Sequence, residues 1–147
     1  MTRRYRQAPI LTIRHLWIRR LGAASGVLFL TVACTRQIYQ PTNVRLDVPP
    51  GTSLQAVGDA IWRAGRSEEW RVTERHPGLA RASRTVRAHR AVVEVAYDQA
   101  TFSIRLLSAV NLDHDGTRIH KNYNAWIERL EDAITSEVAS LATVPPP

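Results

Sequence analysis

The stretch 91–106 constrains the fold more than any other part of this 147-residue chain. Ala91, Val93, Val95 and Tyr97 recur at every second position. After Asp98-Gln99-Ala100 the same spacing resumes at Phe102, Ile104 and Leu106. A period of two places each set on one face of a β-strand. So few residues between the runs allow a hairpin but not a parallel crossover, so the pair is antiparallel. Upstream, Trp70 and Val72 alternate with Arg71 and Thr73, His76-Pro77-Gly78 forms a turn, and Ala80 and Ala82 alternate with Arg81 and Ser83. The pattern predicts an antiparallel four-stranded meander. Its other face, with Arg71, Arg90, Glu94 and Arg105, is expected to meet solvent.

Two helices flank the strands. Thr52-Ser53-Leu54-Gln55 has the spacing of a capping box, with Thr52 as the expected cap. Leu54, Val57, Ile61 and Ala64 then share one face, and Gly65 is suited to end the helix. Near the C-terminus, Ile119, Tyr123, Trp126, Leu130, Ile134, Val138 and Leu141 recur every three or four residues. Glu128, Arg129, Glu131, Asp132 and Glu137 fill the opposite, solvated side. Two apolar stripes and one apolar sheet face predict an α+β two-layer sandwich, ordered α-β-β-β-β-α, with both helices on one face.

The N-terminus reads as an export signal. Six arginines and no acid precede residue 21, and the run 21–34 is uncharged. A bilayer span needs roughly 20 apolar residues, so this run is short for one. Leu30-Thr31-Val32-Ala33-Cys34 resembles the lipobox of bacterial lipoproteins, with Leu30 one place earlier than usual. A thiol is a strong nucleophile and accepts a diacylglyceryl group as a thioether. Cys34 is also the sole cysteine, so an exported domain has no disulfide to form with it. An uncleaved anchor and a soluble exported form are the alternatives. The expected organisation is signal peptide 1–33, lipid-anchored tether 34–50, one α+β domain 51–142 and a loose, proline-rich tail 143–147. Val44, Leu46 and Val48 alternate, so part of the tether is suited to an edge strand. Thr35 stands where aspartate retains enterobacterial lipoproteins in the inner membrane. The expected location is therefore the outer membrane, facing the periplasm.

Charge follows the same division. The chain carries +7, but loss of 1–33 removes six arginines, leaving 14 − 13 = +1. The basicity belongs largely to the signal, and nucleic acid is not an expected partner. No G-x-S-x-G, H-E-x-x-H or phosphate-cradling glycine loop is present, so no enzymatic activity and no cofactor are expected.

The polar residues worth testing surround the start of the last helix. Asn111, Asp113, Asp115, Gly116 and Asn122 match positions 1, 3, 5, 6 and 12 of a calcium loop. Position 12, however, lacks the bidentate glutamate, and a strand precedes the loop. His89, His114 and His120 do not amount to a zinc set without a further ligand. His120, Asn122 and Asn124 are expected to form a polar lock, bonding strand ends and loop carbonyls; a polar ligand site is the alternative.

Gly78, Ala82, Arg87-x-His89-x-Ala91, Tyr97-Asp98, Ser108-x-x-Asn111-Leu112 and, most specifically, Ile119-His120-x-Asn122-Tyr123-Asn124-x-Trp126 carry a resemblance. Over roughly residues 54–135 the chain resembles a group of small uncharacterised proteobacterial lipoproteins. Leu107 and Glu68-Glu69 depart from that group's pattern. The resemblance implies a lipid-anchored, one-domain protein and nothing further; it implies no activity. The signal, lipid site and tether together give the expected partners: a membrane, through the lipid anchor, and another envelope protein. The rival expectation is a periplasmic small-molecule or metal-binding domain at the last strand to last helix junction.

Overall fold

The computed structural model describes residues 34–143. The expected signal peptide, 1–33, and residues 144–147 of the expected tail lie outside the described residues. The described chain is α+β, with a largely antiparallel sheet and two helices. The strands are β1 (Thr35–Gln37), β2 (Val44–Arg45), β3 (Arg71–His76), β4 (Leu79–Val86), β5 (His89–Tyr97), β6 (Thr101–Val110) and β7 (Arg118–His120). The helices are α1 (Leu54–Ser67) and α2 (Lys121–Ala139), and a 3-10 turn, Ser140–Thr143, follows. No described helix is long and apolar enough to cross a membrane.

The main sheet has five strands rather than four, ordered β2-β6-β5-β4-β3. The addition is β2, which pairs antiparallel with β6 through Val44↔Phe102 and Arg45↔Thr101. A separate two-stranded ladder joins β1 to β7. One face of the large sheet is apolar: Ala80 and Ala82, Ala91, Val93 and Val95, Phe102 and Ile104 are all buried. The other face is polar, with Glu94 accepting from Arg105 at 2.7 Å and lying 3.8 Å from Arg81 across the strands. A register shift opposite Val92 and Val93 places Leu107 as an extra residue in β6. The bulge resets the alternation, so Leu106 and then Ala109 pack on the core.

Both helices close over the apolar face. α1 contributes Val57, Ala60, Ile61 and Ala64; α2 contributes Tyr123, Trp126, Ile127, Leu130, Ile134 and Val138. These join the strand residues in one core, where small alanines on β4 and β5 leave room for helix side chains. Two expected helix ends are corrected. Ser53, not Thr52, caps α1, accepting from Ala56 N–H at 3.1 Å, while the Thr52 hydroxyl donates to the Pro49 carbonyl. Gly65 does not end α1 but lies inside it. A Cβ there would meet Val72 Cγ2 at 3.3 Å, so glycine serves close packing against β3.

The start of α2 is corrected too. Ile119 and His120 are strand, and the helix begins at Lys121. Ile119 is fully buried opposite Arg36 in the ladder. Its side chain joins the common core from β7, although its spacing to Tyr123 imitates a helix face.

The stretch read as a tether runs along the domain. Beyond its two short strands, Ile38 N–H donates to Thr117 O at 2.9 Å and Leu46 N–H to Ala100 O at 2.8 Å. The Gln40 side chain accepts from Leu106 N–H at 2.9 Å, and Ser103 Oγ accepts from Asn43 N–H at 2.9 Å. Leu46 is buried, and Ile38, Val44 and Val48 pack on the core.

Arg84 is the buried charge, 8 % exposed on the inward face of β4. Its guanidinium donates to the Glu68 carbonyl and to Glu69 Oε2 at 2.8 Å, and it lies 5.6 Å over the Trp126 ring. Glu68 also meets Arg129 at 3.3 Å. A buried arginine needs such partners to offset its desolvation. In this chain Glu68-Glu69 supply them at the end of α1.

Candidate functional site at the start of the last helix

Cys34 is an exposed free thiol immediately before β1. Its carbonyl accepts from Lys121 N–H at 2.9 Å, and β1 pairs Thr35↔His120, Arg36↔Ile119 and Gln37↔Arg118. The Arg118 guanidinium donates to Thr35 O at 2.9 Å. The cysteine is therefore fastened to the first turn of α2. Helix starts leave backbone N–H groups without intrahelical partners, and here the chain before β1 satisfies one of them.

His120 caps α2 with its ring: Nδ1 accepts from Asn122 N–H at 3.2 Å. That bond requires a lone pair on Nδ1. The ring stacks on His89, with centroids 5.6 Å apart and planes 23° apart. His89 Nδ1 in turn contacts the Asn111 carbonyl, and the Asn111 side chain donates to Ala88 O at 2.8 Å. His120 N–H donates to Leu112 O at 2.7 Å. Asn111 and His120 thus meet at one corner, through His89, where the β4–β5 turn, the end of β6 and the start of α2 converge. Asn111 and Asp113 adopt positive φ, 54° and 48°, which asparagine and aspartate tolerate better than most residues.

The side chains of the other predicted site residues do not join that corner's hydrogen bonds. Asn124 reaches the N-terminal segment: its Oδ1 accepts from Tyr39 N–H at 3.0 Å and its Nδ2 donates to Gln37 O at 2.8 Å. The bond to Gln37 O reaches a strand end, as expected of the polar lock, but that strand is β1, and the bond to Tyr39 N–H adds the chain after it. Asn122 and Asp113 are exposed. Asp115 folds its carboxylate into its own turn, where Oδ1 accepts from Thr117 N–H at 2.9 Å and Arg118 N–H at 2.7 Å. Those backbone donors hold its pKa below the ordinary aspartate value. Among the described residues, no group of three or more His, Cys, Asp or Glu side chains is placed to hold a metal ion.

A hollow of about 420 Å³ lies beside the fastening point, lined by Arg36, Lys121, Asn122, Asn124, Ala125 and Glu128. A second cleft, about 410 Å³, lies elsewhere on the domain, between the first half of α1, the Pro77-Gly78 turn and the end of β5. Gln55, the Asp59–Arg75 ion pair, His76 and Tyr97 line it. The Tyr97 hydroxyl donates to His76 O at 3.2 Å and presses against Gly58, where no Cβ fits unless that hydroxyl moves. Sequence reasoning missed this cleft. The available signal was Gly58, a glycine inside a helix where alanine is favoured by about 1 kcal/mol. Next to the cleft, the guanidiniums of Arg66 and Arg75 both lie over the Trp62 ring, 4.9 and 5.2 Å from its centre.

Comparisons with protein-family models, with curated proteins and with solved structures give no match, so the reading of this site rests on the chain's own residues.

Proposed function

We propose that the chain is a lipid-anchored, non-enzymatic protein of the cell envelope. It acts as an interaction or structural module on the periplasmic side of the outer membrane, and Cys34 is the acylated residue. The observation that carries this reading is the placement of Cys34. The sole cysteine follows Leu30-Thr31-Val32-Ala33, is exposed, and stands one residue before the first strand. Cleavage before it leaves residues 34–143 intact. Each buried methylene adds ~0.8 kcal/mol to membrane affinity, and two or three acyl chains make the attachment lasting.

Cys34→Ser tests the reading. The variant is expected to retain residues 1–33, run larger than the mature protein, and carry no acyl group. A normally processed, membrane-bound Cys34→Ser protein would refute it. Density-gradient separation of the membranes tests the sorting, with the mature protein expected beside outer-membrane markers.

One observation favours the second reading, a ligand-binding domain at the β7–α2 junction: the hollow beside Asn122 and Asn124. A ligand that binds only the folded state raises the melting temperature. A rise on adding calcium or zinc to dialysed protein would favour this reading over the first.

A further inference from the structure

Cys34 has no slack. Its carbonyl is bonded to α2, and residues 35–37 are laddered to β7. A free segment of 34–50 would reach up to ~55 Å from the bilayer. Fastened as it is, that segment provides no spacer. Acyl chains on the Cys34 sulfur would leave the domain beside Arg36 and Lys121, with the surface of the bilayer against them.

That surface has the chemistry for lipid headgroups. Arg36 and Lys121 are exposed, and neither forms an ion pair among the described residues. They line the hollow together with the Asn122 amide. Arg118 lies alongside, its guanidinium donating to Thr35 O. The acids nearby are Glu128, at the edge of the hollow, and Asp113 and Asp115 in the preceding loop; Asp115 is engaged by its own backbone. Two unpaired cations and an amide beside a cavity match a phosphodiester, and cationic side chains at an anionic bilayer surface are favoured.

Resting on the lipid-anchor reading, we infer that this face docks on anionic phospholipid headgroups of the same bilayer that holds Cys34, with a headgroup phosphate between Arg36 and Lys121. The domain then sits flush on the membrane. The Asp98–Thr101 turn, at the far end of the ten-residue β6, faces away by roughly 30 Å. The cleft at Tyr97 and Pro77 lies at that outer end, open to a partner.

The test uses the mature acylated protein in vesicles carrying a paramagnetic quencher on their headgroups. Because Cys34 is acylated, a single new cysteine carries the fluorophore, introduced as His114→Cys, in the exposed loop before β7, or as Gln99→Cys. In vesicles containing phosphatidylglycerol, the label at 114 is expected to lose most of its signal, and the label at 99 to keep its own. That contrast should shrink in pure phosphatidylcholine, and in an Arg36→Gln/Lys121→Gln background. Equal quenching at the two positions overturns the orientation. A contrast indifferent to anionic lipid and to both cations overturns the phosphate site. Protein that does not float with the vesicles overturns the lipid anchor itself, and the orientation falls with it.

Discussion

Helix α2 and the segment 34–50 both cross the domain, and they are held by opposite means. α2 buries six side chains, Tyr123 to Val138, in the common core. The segment buries Pro41 and Leu46, part-buries Ile38, Val44 and Val48, and otherwise depends on hydrogen bonds: the two short ladders, a few backbone bonds beyond them, and side-chain bonds made by Asn124, Gln40 and Ser103. Apolar burial contributes in proportion to area, ~25 cal/mol per Å², whereas a single hydrogen bond contributes a net ~0.5–1.5 kcal/mol. The first region is therefore expected to unfold only with the whole domain. The second is the part that local opening is expected to reach first.

The largest effect is expected at Trp126, 5 % exposed and beneath the Arg84 guanidinium. Trp126→Ala should cost roughly 3–5 kcal/mol, a large share of the ~5–15 kcal/mol typical of a domain. Chemical denaturation measures it, and a loss below about 1 kcal/mol would remove α2 from the core side of the comparison.

Asn124→Ala comes next. It deletes the two bonds to residues 37 and 39, for a loss of about 1–3 kcal/mol. The sharper readout is amide exchange: the N–H groups of Ile38 and Tyr39 should exchange faster while those of β5 hold their protection. Uniform acceleration would mean that the segment and the core open as one unit.

Acid should separate the regions further. Asp98 and Asp115 accept from backbone N–H groups of their own turns, which lowers both pKa values below the ordinary aspartate value of about 3.9. A depressed folded-state pKa gives stability that is present above the unfolded value and lost as pH falls through the folded one. Asp115→Asn should therefore flatten the acid limb of stability near the β1–β7 ladder, and Asp98→Asn should do so at the β5–β6 turn. Thermal melts from neutral pH downward test the sign, and an unchanged acid limb in both variants would contradict it.

The smallest effect belongs to Tyr39→Phe. The Tyr39 hydroxyl donates to Glu131 at 2.7 Å, and that bond, with partial burial, pushes its pKa up to about 12. The pair is solvent-facing, so its loss should cost under about 1 kcal/mol. Alkaline absorbance titration should lose one late-ionising phenol in the variant.

The legible parts of the fold were those with a period. The alternation in β4, β5 and β6 and the stripe from Tyr123 to Val138 are written in side-chain order, and burial follows them. β1 has no such signal. Thr35, Arg36 and Gln37 are polar or exposed and are held through backbone bonds to residues more than eighty positions away. β7 is masked by coincidence, because Ile119 falls in step with the helix that follows. Arg84 looks like a surface residue in sequence; only the meeting of β4 with the end of α1 supplies the carboxylate that lets it be buried. The candidate site divides the same way. His120 and Asn111 were identifiable as residues near the last helix, but their junction through the His89 ring depends on the β4–β5 turn returning to the end of β6. The tie between Asn124 and the chain after Cys34 spans 85 residues and leaves no local trace.

The proposal rests on Cys34, and mass spectrometry of the protein extracted from bacterial membranes tests it most directly. The account predicts an N-terminal peptide that begins at Cys34 and carries a diacylglyceryl thioether. A peptide that continues upstream through Ala33, with an unmodified thiol at residue 34, would contradict it.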